Sequence, residues 1–477
     1  MFKRLLHFLT GTPDAPPAAA PAKPRPVADP APAVEPAPAA ATGLAPEAVS
    51  TPAEMRGDDG GALLARADVL DRGRALNGFV FSLHESAAGK VRARTRRSRE
   101  FLDELKVGTL LGGAVRLLRS RTGYIPVWDG FLPNPMLERL APTGSVLILQ
   151  PERLDAAPDP ALVRRAAELR DAGLRIALDD HSESPWFDGF AQVADHFVLD
   201  SARRSPEELR QLGSRLVRVA PNVNWLAWNV ATEEDFEHLH RLGCEAFHGG
   251  FVTHREDWQG HRLQPHSMRV AMLLNRLRED TETRELAAVL KHDVALTYRL
   301  LRYVNAAAWG INNPITSIEH ALVVLGRMPL RRWLALLLFG SARKDGGSNA
   351  LMEVALTRAR FMELLGADRV GKDECEQLFM TGLFSLLDVI MRVPLPDALK
   401  PVKVPDTVSD ALLRREGPWL PYLQIAEALE LGQADVVEEA ATGLGLTMDD
   451  INRRQIDALL WVQASSESPE EVSTPAR

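Results

Sequence analysis

From about residue 75 to residue 255, short β-rich runs alternate with stretches whose apolar positions recur every three to four residues. The runs cover residues 145–149, 174–178, 196–199, 216–220 and 247–253. Between them, residues 160–173 place Leu162, Val163, Ala166, Ala167 and Leu169 on one helical face. Residues 206–213 and 232–243 repeat this pattern. The second has Thr232 as N-cap, Glu233 and Glu234 in the first turn, and Gly243 as the stop. Strand–helix alternation at this spacing predicts a parallel α/β fold. Beyond about residue 265 the β signal disappears. Residues 266–280, 281–291, 293–307, 317–325 and 329–341 read as successive helices, and the pattern resumes from 348 to about 462. Ser317 suits an N-cap, Gly326 a C-cap and Pro329 a first helical position, while Thr447-x-x-Asp450 reads as a capping box. The C-terminal half is therefore predicted to be all-α.

Composition divides the chain further. Of its 33 prolines, 12 fall in the first 52 residues. An Ala/Pro-rich stretch offers little surface to bury and cannot offset its ordering entropy, so it predicts an extended tether. The expected units are a basic-apolar N-terminus and disordered tether over 1–61, a barrel domain over 62–265, a helical domain over 266–464 and a disordered tail over 465–477. The first nine residues, MFKRLLHFL, are too short to span a bilayer and lack the features of a secretory signal. They read as a frayed terminus or a surface-binding amphipathic piece. A net charge of −8 argues against a nucleic-acid binder. Two cysteines, Cys244 and Cys375, make no disulfide framework and fit a cytoplasmic protein. The basic run at 90–99 reads as a solvated charged segment.

IALDD at 176–180 sets two adjacent carboxylates just past the C-terminal end of a predicted strand, where α/β barrels build their sites. It resembles the "ALDDFG" segment of EAL domains, barrel phosphodiesterases that cleave cyclic di-GMP. HFVLD (196–200), LAWNVATEEDF (226–236) and LGCEAFHGGFV (242–252) resemble further EAL landmarks in the same order, over about 180 residues. The resemblance implies an EAL-type (β/α) barrel whose relatives hold two divalent cations to activate water. Carried over position by position, the family's signature glutamate falls on Val80 and its ligand arginine on His84. Its metal-binding asparagine falls on Pro126, the next carboxylate on Leu149 or Gln150, and its lysine on Val198. Two more glutamates fall on Trp228 and Ala231, and the loop glutamine on His248. Asp179, Asp180 and Asp200 remain, as vestiges. Two acids without their partners cannot hold a two-metal site. Their structural reading is as rim residues that cap a helix or meet an arginine.

Residues 285–339 resemble the opening of an HDOD domain, with Asp293, Leu296, Leu300, Leu301, Asn305, Ala307, Ile315, Ser317, Ile318, Ala321, Leu325, Gly326, Leu330 and Arg331 holding the pattern. Residues 378–395 extend it. The resemblance implies a relative of HD-type metal phosphohydrolases without the metal ligands, here with Ser385 and Leu386 at the dyad. A literal His292-Asp293 pair stands at a helix start, where Asp293 reads as an N-cap. Asn305 is the polar exception on its helix, and Trp309 and Trp333 read as packing anchors. His238, His240, His248, His254, His261 and His266 crowd in sequence. His238 and His240 point about 200° apart on a helix and cannot share an ion, so solvent-facing imidazoles are expected. No P-loop, Rossmann fingerprint, GxSxG, CxxC or HExxH occurs.

The combined reading is a degenerate EAL-type barrel followed by an all-helical HDOD domain. It implies a non-catalytic, cytoplasmic bacterial signalling protein that binds other signalling proteins and needs no metal or cofactor. The position of His84 argues against cyclic di-GMP binding. The alternatives are a cyclic di-GMP receptor or a residual phosphodiesterase.

Overall fold

The computed structural model describes residues 62–84, 96–219, 223–255, 258, 263, 265–278, 281–291, 293–305, 315–340 and 346–466. The tether expected over 1–61, the tail beyond 466, most of the basic run at 90–99, His261, His292, Trp309 and the His266 side chain lie outside them.

Eight strands close into a barrel in chain order. They are β1 (Leu63–Asp71), β2 (Leu76–His84), β3 (Thr122–Trp128), β4 (Val146–Gln150), β5 (Arg175–Leu178), β6 (His196–Asp200), β7 (Asn224–Trp228) and β8 (Ala246–His248). From β2 to β8 each pairing is parallel, with helices in the connections as the alternation predicts. β1 breaks the rule: it runs antiparallel to both β2 and β8 and reaches β2 through a tight turn at Arg74, whose φ is +64°. One expected strand is a correction. Residues 216–219 belong to the helix Pro206–Val219, and the strand lies at Asn224–Trp228. The run LVRV is β-prone by composition. However, Leu209, Leu212 and Leu216 recur at helical spacing and are all buried, and that burial decides the outcome.

Alternation along the strands sorts the core. Val69, Val80, Tyr124, Val146, Ile148, Ala177, Val198, Leu226 and Ala246 fill the lumen. Their neighbours, such as Phe81, Ile125, Leu149, Leu178 and Phe197, pack outward beneath the helices.

A hairpin at β1–β2 leaves no crossover helix to cover its outer face. The C-terminal half supplies the cover. From the helix Met448–Ser466, Asn452 donates to the Ala62 carbonyl and accepts from Leu64 N–H, each at 2.9 Å. Gln455 donates to the Leu64 carbonyl at 2.7 Å. Charges fill the rest of the seam. Arg66 pairs with Asp68 at 3.1 Å and Arg121 grips Glu353 at 3.0 and 3.2 Å. Arg358 holds Glu430 at 2.6 and 3.0 Å. Burial pushes the Asp68 and Glu353 carboxyls upward against the pull of these arginines.

The helices follow their sequence signals closely. Asp293 caps Val294–Val304 through Leu296 N–H, and Ser317 caps Ile318–Leu325 through His320 N–H. Thr447 and Asp450 close the expected capping box. The helix expected from Pro329 starts two residues earlier, as Arg327–Gly340. Trp333 is fully buried.

Candidate functional site

The C-terminal mouth of the barrel is where the resemblance locates chemistry, and its floor is apolar. Val80 and Val198 both sit in the lumen cluster with Ile148 and Ala177. By alternation Gln150, and not Leu149, faces the lumen, because Leu149 packs under the helices. Pro126 lies opposite Ile148 and has no N–H for the ladder. Its carbonyl accepts from Lys106, which is also held by Asp103 at 2.8 Å. None of Val80, Pro126 and Val198 carries a side-chain oxygen. Among the described residues, no three His, Cys, Asp or Glu side chains gather into a group that could hold a metal. The residues present do not fit the two-cation arrangement that the resemblance implies.

The three aspartates are already engaged. Asp180, whose side chain is fully buried, takes a two-pronged grip from Arg204: Nε at 2.8 Å to one oxygen and Nη2 at 2.8 Å to the other. It also accepts from Asp200 N–H at 3.2 Å. Asp200 accepts from Asn229 at 2.8 Å, from Ala202 N–H at 3.0 Å and from Arg203 at 3.0 Å. Asp179 lies 3.6 Å from His181 and 3.9 Å from Arg203. The carboxylates therefore meet arginines. The partners come from residues not singled out in the sequence. Arg203 and Arg204 are visible only as SARRS in the loop that follows β6. Asn229 stands just past β7 with φ +56°, a conformation that asparagine tolerates better than most residues.

Aromatic groups line the remaining rim. The Arg99 guanidinium lies 4.0 Å over Trp128, and the Trp228 and His248 rings are 4.2 Å apart. Part of His248 is exposed, but its Nδ1 is buried without a hydrogen-bond partner, and loss of hydration pushes its pKa down to about 4. His196, in β6, behaves alike: both ring nitrogens are unpartnered, and burial, then the charge of Arg175, lowers it to about 4. The partial burial of His248 departs from the solvent-facing expectation, as does His240, which packs on Phe236 and Phe247. His238 reaches the Pro206 carbonyl at 3.2 Å and His254 is exposed. His84 is claimed by the helical half. Gly432, with φ +65°, approaches it so closely that a Cβ there would lie 2.7 Å from Nε2. Only glycine combines that backbone conformation with that proximity.

In the helical half, Ser385 and Leu386 are buried. Ser385 Oγ accepts from Arg358 at 2.7 Å and donates to the Gly382 carbonyl at 2.7 Å. Asp388, three residues on, pairs with Arg255 at 2.7 Å. Asn305 clamps its turn, donating to the Ile315 carbonyl and accepting from Ile315 N–H, both at 2.6 Å.

The family model for the HDOD domain matches residues 263–404. Cyclic di-GMP phosphodiesterase CdgJ of Vibrio cholerae is 28% identical over 310 residues, covering 64% of this chain and 71% of that protein. The uncharacterized protein YuxH of Bacillus subtilis is 24% identical over 314 residues, covering 63% and 75%. Among solved structures, a standalone EAL protein from Vibrio cholerae with cyclic di-GMP bound aligns at 17% identity and a TM-score of 0.34, over 40% of this chain and 91% of that one. No helix among the described residues is long and apolar enough to cross a membrane. The chain thus joins a closed eight-stranded barrel to a helical region of which residues 263–404 match the HDOD domain model.

Proposed function

We propose that this protein transmits a signal by binding other signalling proteins and that its barrel performs no phosphodiester hydrolysis. The observation that carries this reading is the lumen: valines occupy 80 and 198, and Arg204 and Arg203 neutralise Asp180 and Asp200. Activation of water by paired cations needs several oxygen ligands converging on one point. Each aspartate here is instead directed to a guanidinium, an imidazole or a backbone N–H. Cytoplasmic placement belongs to the same proposal.

A second reading is favoured by the name of one relative, the cyclic di-GMP phosphodiesterase CdgJ. One assay separates the two. Full-length protein is incubated with cyclic di-GMP and Mg²⁺ or Mn²⁺, and linear product is followed by chromatography. We expect none above the buffer control. Turnover that Asp179→Asn abolishes would establish the enzyme and end the silent-barrel proposal. Affinity capture with the whole chain, read by mass spectrometry, then seeks the partner. Calorimetry with cyclic di-GMP tests a receptor role, which the packing of His84 against Gly432 disfavours.

A further inference from the structure

The helix Pro265–Arg278, in the HDOD region, has two faces with different fates. Val270, Leu273, Leu274 and Leu277 bury its inner face in the helical core. On the outer face Met268 and Met272 stand one turn apart, 54% and 45% exposed. The inner leucines already anchor the helix, so the fold has no need of this second apolar ridge. Methionine is a common choice where a surface must adapt to a partner.

Charge sets the ridge apart from an ordinary solvated helix. The helix carries Arg269, Arg276 and Arg278 and no Asp or Glu, in a chain whose net charge is −8. Arg269 lies three residues before Met272 and Arg276 four residues after it, on the adjoining turns. Among the described residues only Arg269 of the three meets a carboxylate, Asp293 at 3.5 Å. Arg278 donates to the Val404 carbonyl at 3.1 Å, a neutral acceptor that leaves its charge in place. Asn275 accepts from Lys403 N–H at 2.6 Å, which brings the exposed Lys403 beside the same helix. Solvated surfaces mix both signs of charge, whereas Met and Arg without Asp or Glu is the composition of a protein interface.

We propose that this ridge docks an acidic amphipathic helix of a partner protein. The inference rests on the protein-binding reading above and gives it a surface and a partner chemistry. The i, i+4 ridge of Met268 and Met272 packs into the groove between apolar side chains of the partner helix. Its Asp and Glu residues, on either side of that apolar stripe, meet Arg276 and Arg278. Single-stranded nucleic acid fits less well, because the helix offers no aromatic ring on which a base could stack. A lipid surface fits less well too, because the helix turns its leucines inward and carries no Trp or Phe.

The test is selection from a displayed library of random peptides about four helical turns long, with the full-length chain as bait. The enriched peptides are expected to be acidic, with apolar residues at i, i+3, i+4 and i+7. Fluorescence anisotropy then measures the best of them against variants. Met268→Glu and Arg276→Glu should each weaken binding at least tenfold, while Leu154→Glu, at an exposed site on the barrel, should leave it unchanged. Melting curves confirm that each variant is folded, and two independent variants keep the test decisive if one is not. Three outcomes overturn the proposal. The first is that no peptide is enriched, or that the enriched ones are not acidic. The second is peptide binding that neither folded variant alters. The third is Met268-dependent binding of phosphatidylglycerol vesicles or of an oligonucleotide in place of peptide, which would assign the ridge to lipid or nucleic acid. Partners from affinity capture that bind the Met268→Glu chain undiminished would also remove this surface, yet leave the protein-binding reading standing. An empty capture would count against that reading itself.

Discussion

Arg204 illustrates how much of the barrel mouth rests on single side chains. It is the guanidinium partner of a carboxylate with no solvent exposure. Arg204→Ala leaves Asp180 buried and unpaired, which costs about 3 kcal/mol or more. The expected result is a clear fall in the urea midpoint, while Arg203→Ala, at the half-exposed partner of Asp200, costs far less. His196 and His248 make stability depend on pH. Both are held below their ordinary value, to about 4, so the native state excludes the proton that the unfolded chain takes up below about 6.5. Stability is thus fully present above 6.5 and declines as pH falls from there toward 4, by roughly 1.4 kcal/mol per pH unit for each histidine. Denaturant titrations at pH 7, 6 and 5 measure the slope, and His196→Leu should flatten it. An unchanged slope in that variant would mean other groups set the acid limit. The aspartates were visible in the sequence because IALDD stands out at a strand end. Their arginines were not, because a basic pair in a loop looks like any solvated surface.

At the scale of elements, caps and periodicity were the dependable signals. Thr232, Gly243, Asp293, Ser317 and the Thr447–Asp450 box all occupy the helix ends expected of them, because a cap satisfies orphan backbone groups within a few residues of itself. Strands were harder. The β1 strand, LLARADVLD, is interrupted by Arg66 and Asp68, whose burial depends on each other and on the helical half. No local pattern announces a polar strand whose partners lie hundreds of residues away. Helix contacts carry their own prediction. Gly382 lets Lys372–Phe384 press against Gly346–Gly366, and a Cβ there would lie 2.7 Å from the Ala359 Cα. Gly382→Ala must therefore push two backbones apart, at a cost of about 1–3 kcal/mol read as a lower melting temperature. Gly112→Ala, with open space around its Cβ, serves as the control.

The whole molecule is less divisible than its two-part sequence suggests. The described residues fall within one compact unit, and the outer face of β1–β2 is covered by helices from the far end of the chain. A truncation ending before the helix Met448–Ser466 is expected to lose the barrel as well, giving an early, broad unfolding transition and aggregation. A well-folded barrel from that truncation, with a sharp melt, would refute the point. Partner mapping is better done with point substitutions than with domain deletions. The same closure also has a cost in time. Leu64 leaves the ribosome early, but the residues that satisfy its backbone, Asn452 and Gln455, follow 388 and 391 positions later. At about 5–20 residues per second, β1 waits roughly 20–80 s for its last cover. During that interval the nascent barrel presents an open strand edge and bare apolar side chains, so synthesis of this protein depends on whatever shields that edge until the final helix arrives.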